Sequence, residues 1–116
     1  MRTLLAILLL SSPFLLISCN TPVDTRPELP VDIATRPSLV TGRVVIVRNL
    51  SNEPLANVTF SVSNCPHGHA PKSWIVGFAP GQSREFGILE FDWTFCSGEI
   101  VTLSHRNYRS RTIRIP

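Results

Sequence analysis

From Thr41 to the last residue, apolar and polar positions alternate in short runs separated by turn formers, the period of strands buried on one face. Residues 42–48 form a β-branched run that ends in the turn formers Asn49-Leu50-Ser51-Asn52-Glu53-Pro54. Residues 57–63 alternate cleanly, with Val58, Phe60 and Val62 on one face and Thr59 and Ser61 on the other. A third strand is predicted over residues 73–78. The turn Ala79-Pro80-Gly81-Gln82 follows, with proline and glycine where a type II turn places them. Residues 84–91 and 93–95 read as further strands, Gly98 breaks the run, and residues 100–105 and 109–115 form a last pair around a tight turn at Arg106-Asn107. No stretch beyond the first residues carries helical periodicity. Six or seven short strands at this spacing predict an all-β fold, a small antiparallel β-sandwich, with arginines and prolines shielding its edges.

The first 39 residues have a different character. Met1 to Ser18 carries Arg2, an apolar run from Leu4 to Leu10, Ser11-Ser12-Pro13 and a second apolar patch, Phe14-Leu15-Leu16-Ile17, the layout of an export signal. A permanent transmembrane helix would be broken at Pro13 and has no basic cluster after it. Residues 20–39 then hold four prolines, Pro22, Pro27, Pro30 and Pro37, with Thr25-Arg26-Pro27 echoed by Thr35-Arg36-Pro37, and read as an extended spacer of roughly 60 Å at most.

Leu16-Ile17-Ser18-Cys19 resembles the lipobox of bacterial lipoproteins. The resemblance implies cleavage before Cys19, a diacylglycerol thioether on its sulfur and acylation of the new amino group. It implies localisation at a membrane, the outer one where the cell has one, since Asn20 follows the cysteine. Two or three acyl chains, at about 0.8 kcal/mol per buried methylene, anchor stably where one does not. The resulting organisation is a signal peptide (1–18), a lipidated cysteine and proline-rich linker (19–39) and a β-sandwich domain (40–116).

Charge and cysteines refine this picture. The formal net charge of +3 is too mild to argue for nucleic acid. After Glu99, however, no acidic residue follows, while Arg106, Arg109, Arg111 and Arg114 do. Arg106, Arg109 and Arg111 are a candidate patch for an anionic envelope partner, with a charged edge strand as the plainer explanation. Alternation places Arg109 and Arg111 with Ile113 and Ile115, so either the strand is buried only toward its end or a bulge changes its register. Once Cys19 is assigned to the boundary, Cys65 and Cys96 remain as an even pair, which in an exported chain reads as a disulfide. It closes a loop of about 32 residues, worth roughly 3–4 kcal/mol on the chain-entropy model, a large contribution to so small a core.

Two stretches also resemble carboxypeptidase-regulatory-like, or transthyretin-like, domains within the Ig-like sandwiches: Gly42-Arg43-Val44-Val45 with Glu53-Pro54-Leu55-Ala56-Asn57-Val58-Thr59-Phe60, and Val101 through Tyr108. Asn57 and Asn107 stand where that family has glycines, and asparagine tolerates a positive φ. The resemblance implies an accessory binding or spacer module without catalysis.

Residues with chemistry support the same expectation. Cys65-Pro66-His67-Gly68-His69 has metal-ligand residue types, and His67 and His69 are the weaker alternative site. Two histidines fall short of the four ligands zinc takes, even with His105 as a distant third. No Gly-x-Ser-x-Gly elbow is present, and Glu85, Glu90, Asp92 and Glu99 lie on segments where acids keep a strand soluble. Trp74 and Trp93 offer a sugar-stacking platform or core packing, of which a small sandwich needs the second more. The expected function is therefore non-enzymatic and cofactor-free: an envelope lipoprotein that displays a sandwich to an envelope protein or glycan.

Overall fold

The computed structural model describes residues 23–63, 65–66 and 70–116, so the leader, Cys19, His67 and His69 lie outside the described residues. Seven strands form two antiparallel sheets: β1 (Val31–Pro37), β2 (Arg43–Asn49), β3 (Leu55–Ser63), β4 (Lys72–Phe78), β5 (Ser83–Phe86), β6 (Ile100–His105) and β7 (Tyr108–Arg114). One sheet has the order β1-β2-β5 and the other β4-β3-β6-β7. Their inner faces meet in one core. Phe60 of β3 lies 4.7 Å from Phe86 of β5 between ring centroids, and Phe91 and Phe95 close around Phe60 at 5.5 and 6.1 Å.

Two strands depart from simple alternation, and each departure has a local cause. In β3 the register against β4 shifts between Leu55 and Val58, with Asn57 at φ 58°. This bulge turns Leu55 to the same side as Val58, Phe60 and Val62, all four of them buried. Gly77 opposite leaves room for it, since a Cβ there would stand 3.4 Å from the Leu55 carbonyl oxygen. In β7 the register against β6 shifts between the Leu103–Arg111 and His105–Tyr108 pairs. A bulge is present, as the second expected outcome has it, but it lies before Arg111, and burial deepens only toward Ile115, as the first has it. The bulge returns Tyr108 to the face of Leu103, while Arg111, Ile113 and Ile115 continue along the same side. Asn107, unlike Asn57, does not have a positive φ.

Two expectations need correction. Residues 84–91 are not one strand: β5 ends at Phe86, and Ile88–Phe91 form a single helical turn, α1. Gly87 lies against β2, where an added Cβ would meet the Val44 side chain at 3.0 Å. Of residues 93–95 only Phe95 pairs, through one bridge to Arg43. The second correction is larger. Residues 29–37, assigned to the spacer, belong to the domain: β1 pairs along its full length with β2, and Leu29 and Val31 are each 1% exposed. Apolar residues at 29, 31 and 33 carry the strand period, and the surrounding prolines are compatible with it because β1 is a sheet edge. The folded part therefore starts near Leu29, not Val40.

The two cysteines of the domain are bonded, Cys65 to Cys96, with Cα atoms 6.0 Å apart. The bond lies just beyond the Ser63–Ile100 pair that ends the β3–β6 ladder, so it fastens the loop after β3 to the segment entering β6. At the opposite end of the sandwich, the buried Asn49 ties two turns together. Its Nδ2 donates to the Glu53 and Ala79 carbonyls at 2.7 and 3.2 Å, and its Oδ1 accepts from the Ser51 amide and hydroxyl at 2.9 and 2.8 Å. Replacing it strands several polar groups where water reaches poorly. Asn49→Ala should cost about 2–3 kcal/mol in urea unfolding, and a loss under about 0.5 kcal/mol would show that the turns do not need it.

Candidate functional site

The residues that could meet a partner gather where β6 turns into β7. A groove of about 920 Å³ opens there, lined by Arg26, Glu53, Asn57, Thr59, Ser104, His105, Arg106, Asn107, Tyr108 and Ser110, with Pro54, Leu55 and Ala56. The β3 bulge forms one wall and the β6–β7 turn the other. Residue Arg26 enters from the N-terminal segment, which docks along the open edge of β7. The Leu29 amide donates to the Arg109 carbonyl at 3.0 Å and the Arg109 amide to the Pro27 carbonyl at 2.8 Å, making a short parallel bridge of Glu28 to Arg109.

The arginine patch is brought together and partly used up by this docking. Arg109 Nε donates to the Arg26 carbonyl at 2.8 Å and Arg111 Nη1 to the Val31 carbonyl at 2.6 Å. Arg111 also stands 3.8 Å from the Glu28 carboxylate. Arg26 in turn donates to the Arg106 carbonyl at 3.0 Å and makes a two-pronged pair with Asp24, at 2.7 and 3.0 Å. Arg109 and Arg111 thus hold their own chain, whereas the side chain of Arg106 is exposed at the groove. The sequence indicated the patch but not these uses, because the segment they grip looked like a spacer.

The outer face of the four-stranded sheet continues the polar surface. Register aligns Ser73, Ser61, Thr102 and Thr112 in one rank across all four strands, with hydroxyl contacts of 3.1 Å between Ser61 and Ser73 and 3.2 Å between Thr102 and Thr112. The next rank contains Thr59 and Ser104, which line the groove. A hydroxyl offers both a donor and acceptors, so this surface suits a ligand rich in hydroxyls or amides. Tyr108, on the inner side of the sheet and packed against the core, brings an aromatic ring to the wall of the groove, 5.3 Å from the His105 ring.

The other candidates lie elsewhere. Trp74 and Trp93 pack edge to face at 5.3 Å against the core, and the Lys72 ammonium sits over both rings at 5.1 and 5.8 Å. They are half-buried residues packed against the core, with the cation over their rings. His105 Nδ1 accepts from the Asn107 amide at 3.1 Å, at the far end of β6 from Cys65. Glu99, expected to be a solubilising acid, instead stands beside the disulfide, fully buried, and its Oε1 accepts from the Cys96 amide at 3.0 Å. Its spacing, three residues after a cysteine across the turn at Gly98, was the available signal.

The Asp24 carboxyl is held down to about 2 from an ordinary 3.8, first by its side-chain hydrogen bond from Arg26 and then by the Arg26 amide. With the folded value below the ordinary one, the pair's contribution is complete above about pH 4 and is lost as pH falls toward 2. NMR titration of Asp24 should show that depressed midpoint, and Arg26→Gln should return it toward the ordinary value. An Asp24 midpoint unchanged by Arg26→Gln would mean that the pair does not form.

No family model matches the chain, and no curated protein or solved structure matches it.

Proposed function

We propose that the chain is a cell-envelope lipoprotein, cut before Cys19 and anchored through it, whose Ig-like sandwich is a non-catalytic binding module for an anionic, hydroxyl-rich envelope ligand such as an acidic glycan. The observation that carries the binding part is the polar groove with Arg106 exposed at its wall and the hydroxyl-bearing sheet face running into it. Sugars are recognised by such hydroxyl and amide pairs together with an aromatic ring, and an exposed arginine gives the acidic group its partner. A protein partner presenting acidic side chains is the other outcome of the same chemistry.

The anchor reading gains a geometric consequence from the docked N-terminal segment. The seven residue steps from Cys19 to Arg26 span at most about 25 Å, much less than the 60 Å spacer expected from composition. A domain anchored at Cys19 would carry its groove close to the membrane surface, within reach of ligands there rather than deep in the envelope.

Cys19→Ala in the full chain should abolish membrane association on fractionation, and firm retention in the membrane would contradict the anchor. Binding is tested separately with the Cys19→Ala chain against immobilised acidic and neutral glycans. Acidic glycans should bind in a salt-dependent manner, and Arg106→Gln should weaken that binding about 5-fold or more with melting unchanged. Arg109 and Arg111 are unsuitable for this purpose, since replacing either leaves a carbonyl of the N-terminal segment without its donor. Equal binding by Arg106→Gln, or equal affinity for neutral glycans, would remove the groove's assigned ligand.

A further inference from the structure

The corner that holds the disulfide contains a third group with metal-ligand chemistry, the buried Glu99. One ligand atom from each of Cys65, Cys96 and Glu99 lies within 4.8 Å of the other two. The three come from two places in the chain. Cys65 follows β3, while Cys96 and Glu99 flank a tight turn in which the Glu99 amide donates to the Cys96 carbonyl at 3.1 Å and the Cys96 amide to Glu99 Oε1 at 3.0 Å. Gly98 makes the turn with φ 89°, and its amide is tied to the Ile115 carbonyl at 2.8 Å, as the Ile115 amide is to the Glu99 carbonyl at 2.8 Å. The carboxylate is therefore folded back over Cys96 and fixed there by the end of β7. The fully buried Glu99 thus places a carboxylate beside two sulfurs, a donor set that zinc accepts.

We propose that when the Cys65–Cys96 bond is reduced, Cys65, Cys96 and Glu99 form a site for zinc or a similar thiophilic divalent cation, so that the corner alternates between a disulfide and a metal bridge. The reductant is a dithiol. It gives two electrons and two protons to the disulfide, leaving two protein thiols, and itself becomes a disulfide. Zinc then displaces one proton from each thiol, and both protons pass to solvent. Two zinc–sulfur bonds of about 2.3 Å in a tetrahedral shell put the sulfurs about 3.8 Å apart, so the site requires them to separate once the bond between them is reduced. The bridge closes the same loop as the disulfide, so the reduced chain keeps the cross-link that a core of this size relies on. The fourth position is left to water or an exchangeable ligand.

The test uses the full chain in detergent with Cys19→Ser, so that only two thiols remain, reduced by a water-soluble phosphine, which is oxidised to its oxide with oxygen taken from water. Cadmium titration should give a thiolate-to-metal charge-transfer band saturating at one equivalent, and zinc should compete for it. Zinc should raise the melting temperature of the reduced chain, and the oxidised chain should bind neither ion. Glu99→Gln should weaken binding roughly tenfold or more. Should that variant not fold, X-ray absorption at the zinc edge of the chain with native Glu99 reads the donors directly: two sulfurs near 2.3 Å and an oxygen near 2.0 Å. A shell without two sulfurs and a carboxylate oxygen overturns the proposal. So does a reduced chain that zinc fails to fold or stabilise, and so does equal binding by the oxidised chain.

Discussion

The structure depends on a chain crossing between its two sheets. Residues 27–29 pair in parallel with the edge of β7 in the four-stranded sheet, and two residues later the chain begins β1 of the three-stranded sheet. Leu29 and Val31, on either side of Pro30, are both buried in the shared core. Proline suits the crossing because it fixes its own φ and needs no partner for a missing N–H. Arg109 and Arg111 then satisfy carbonyls on the crossing segment, so two of the candidate patch's three charges serve the fold before any ligand arrives. The same docking brings Arg26 to the groove.

The rest of the stabilisation is concentrated because the domain is small. Phe60, Phe86, Phe91 and Phe95 fill the centre between the sheets, and edge-to-face aromatic pairs add to their area burial. Asn49 fastens the turns at one end and Cys65–Cys96 fastens the other. Between these fastenings the outer face of the four-stranded sheet is free to be polar, and its serines and threonines pack as strand residues while presenting hydroxyls. The polar face and the groove are thus possible because the core is secured elsewhere.

The sequence made legible what alternation and residue type encode locally. Val58, Phe60 and Val62 announced β3, Val101 and Leu103 announced β6, and the pair of cysteines left once Cys19 was set aside announced the disulfide. What stayed hidden required a partner strand to be seen. Leu29, Val31 and Ile33 have the strand period, but four prolines in the same stretch outweighed it, because nothing local says that β1 will be an edge where proline is tolerated. α1 was read as strand because four apolar-rich residues fit either element, and only the close approach of Gly87 to β2 separates them. The arginine contradiction in β7 was visible as a clash of faces, yet the bulge before Arg111 depends on β6, and Arg111 keeps its side by gripping the Val31 carbonyl of a segment that read as a spacer. Glu99 looked like a solvating acid, since its burial follows from a turn that two backbone bonds to Ile115 hold in place.

The central claim is that the segment before β1 is part of the folded domain and not a tether. Amide hydrogen exchange on the chain reads this directly at Leu29 and Arg109, whose N–H groups bond across the crossing. Both should exchange as slowly as the β6 amides, and rates close to those of a free peptide at either position would contradict the account.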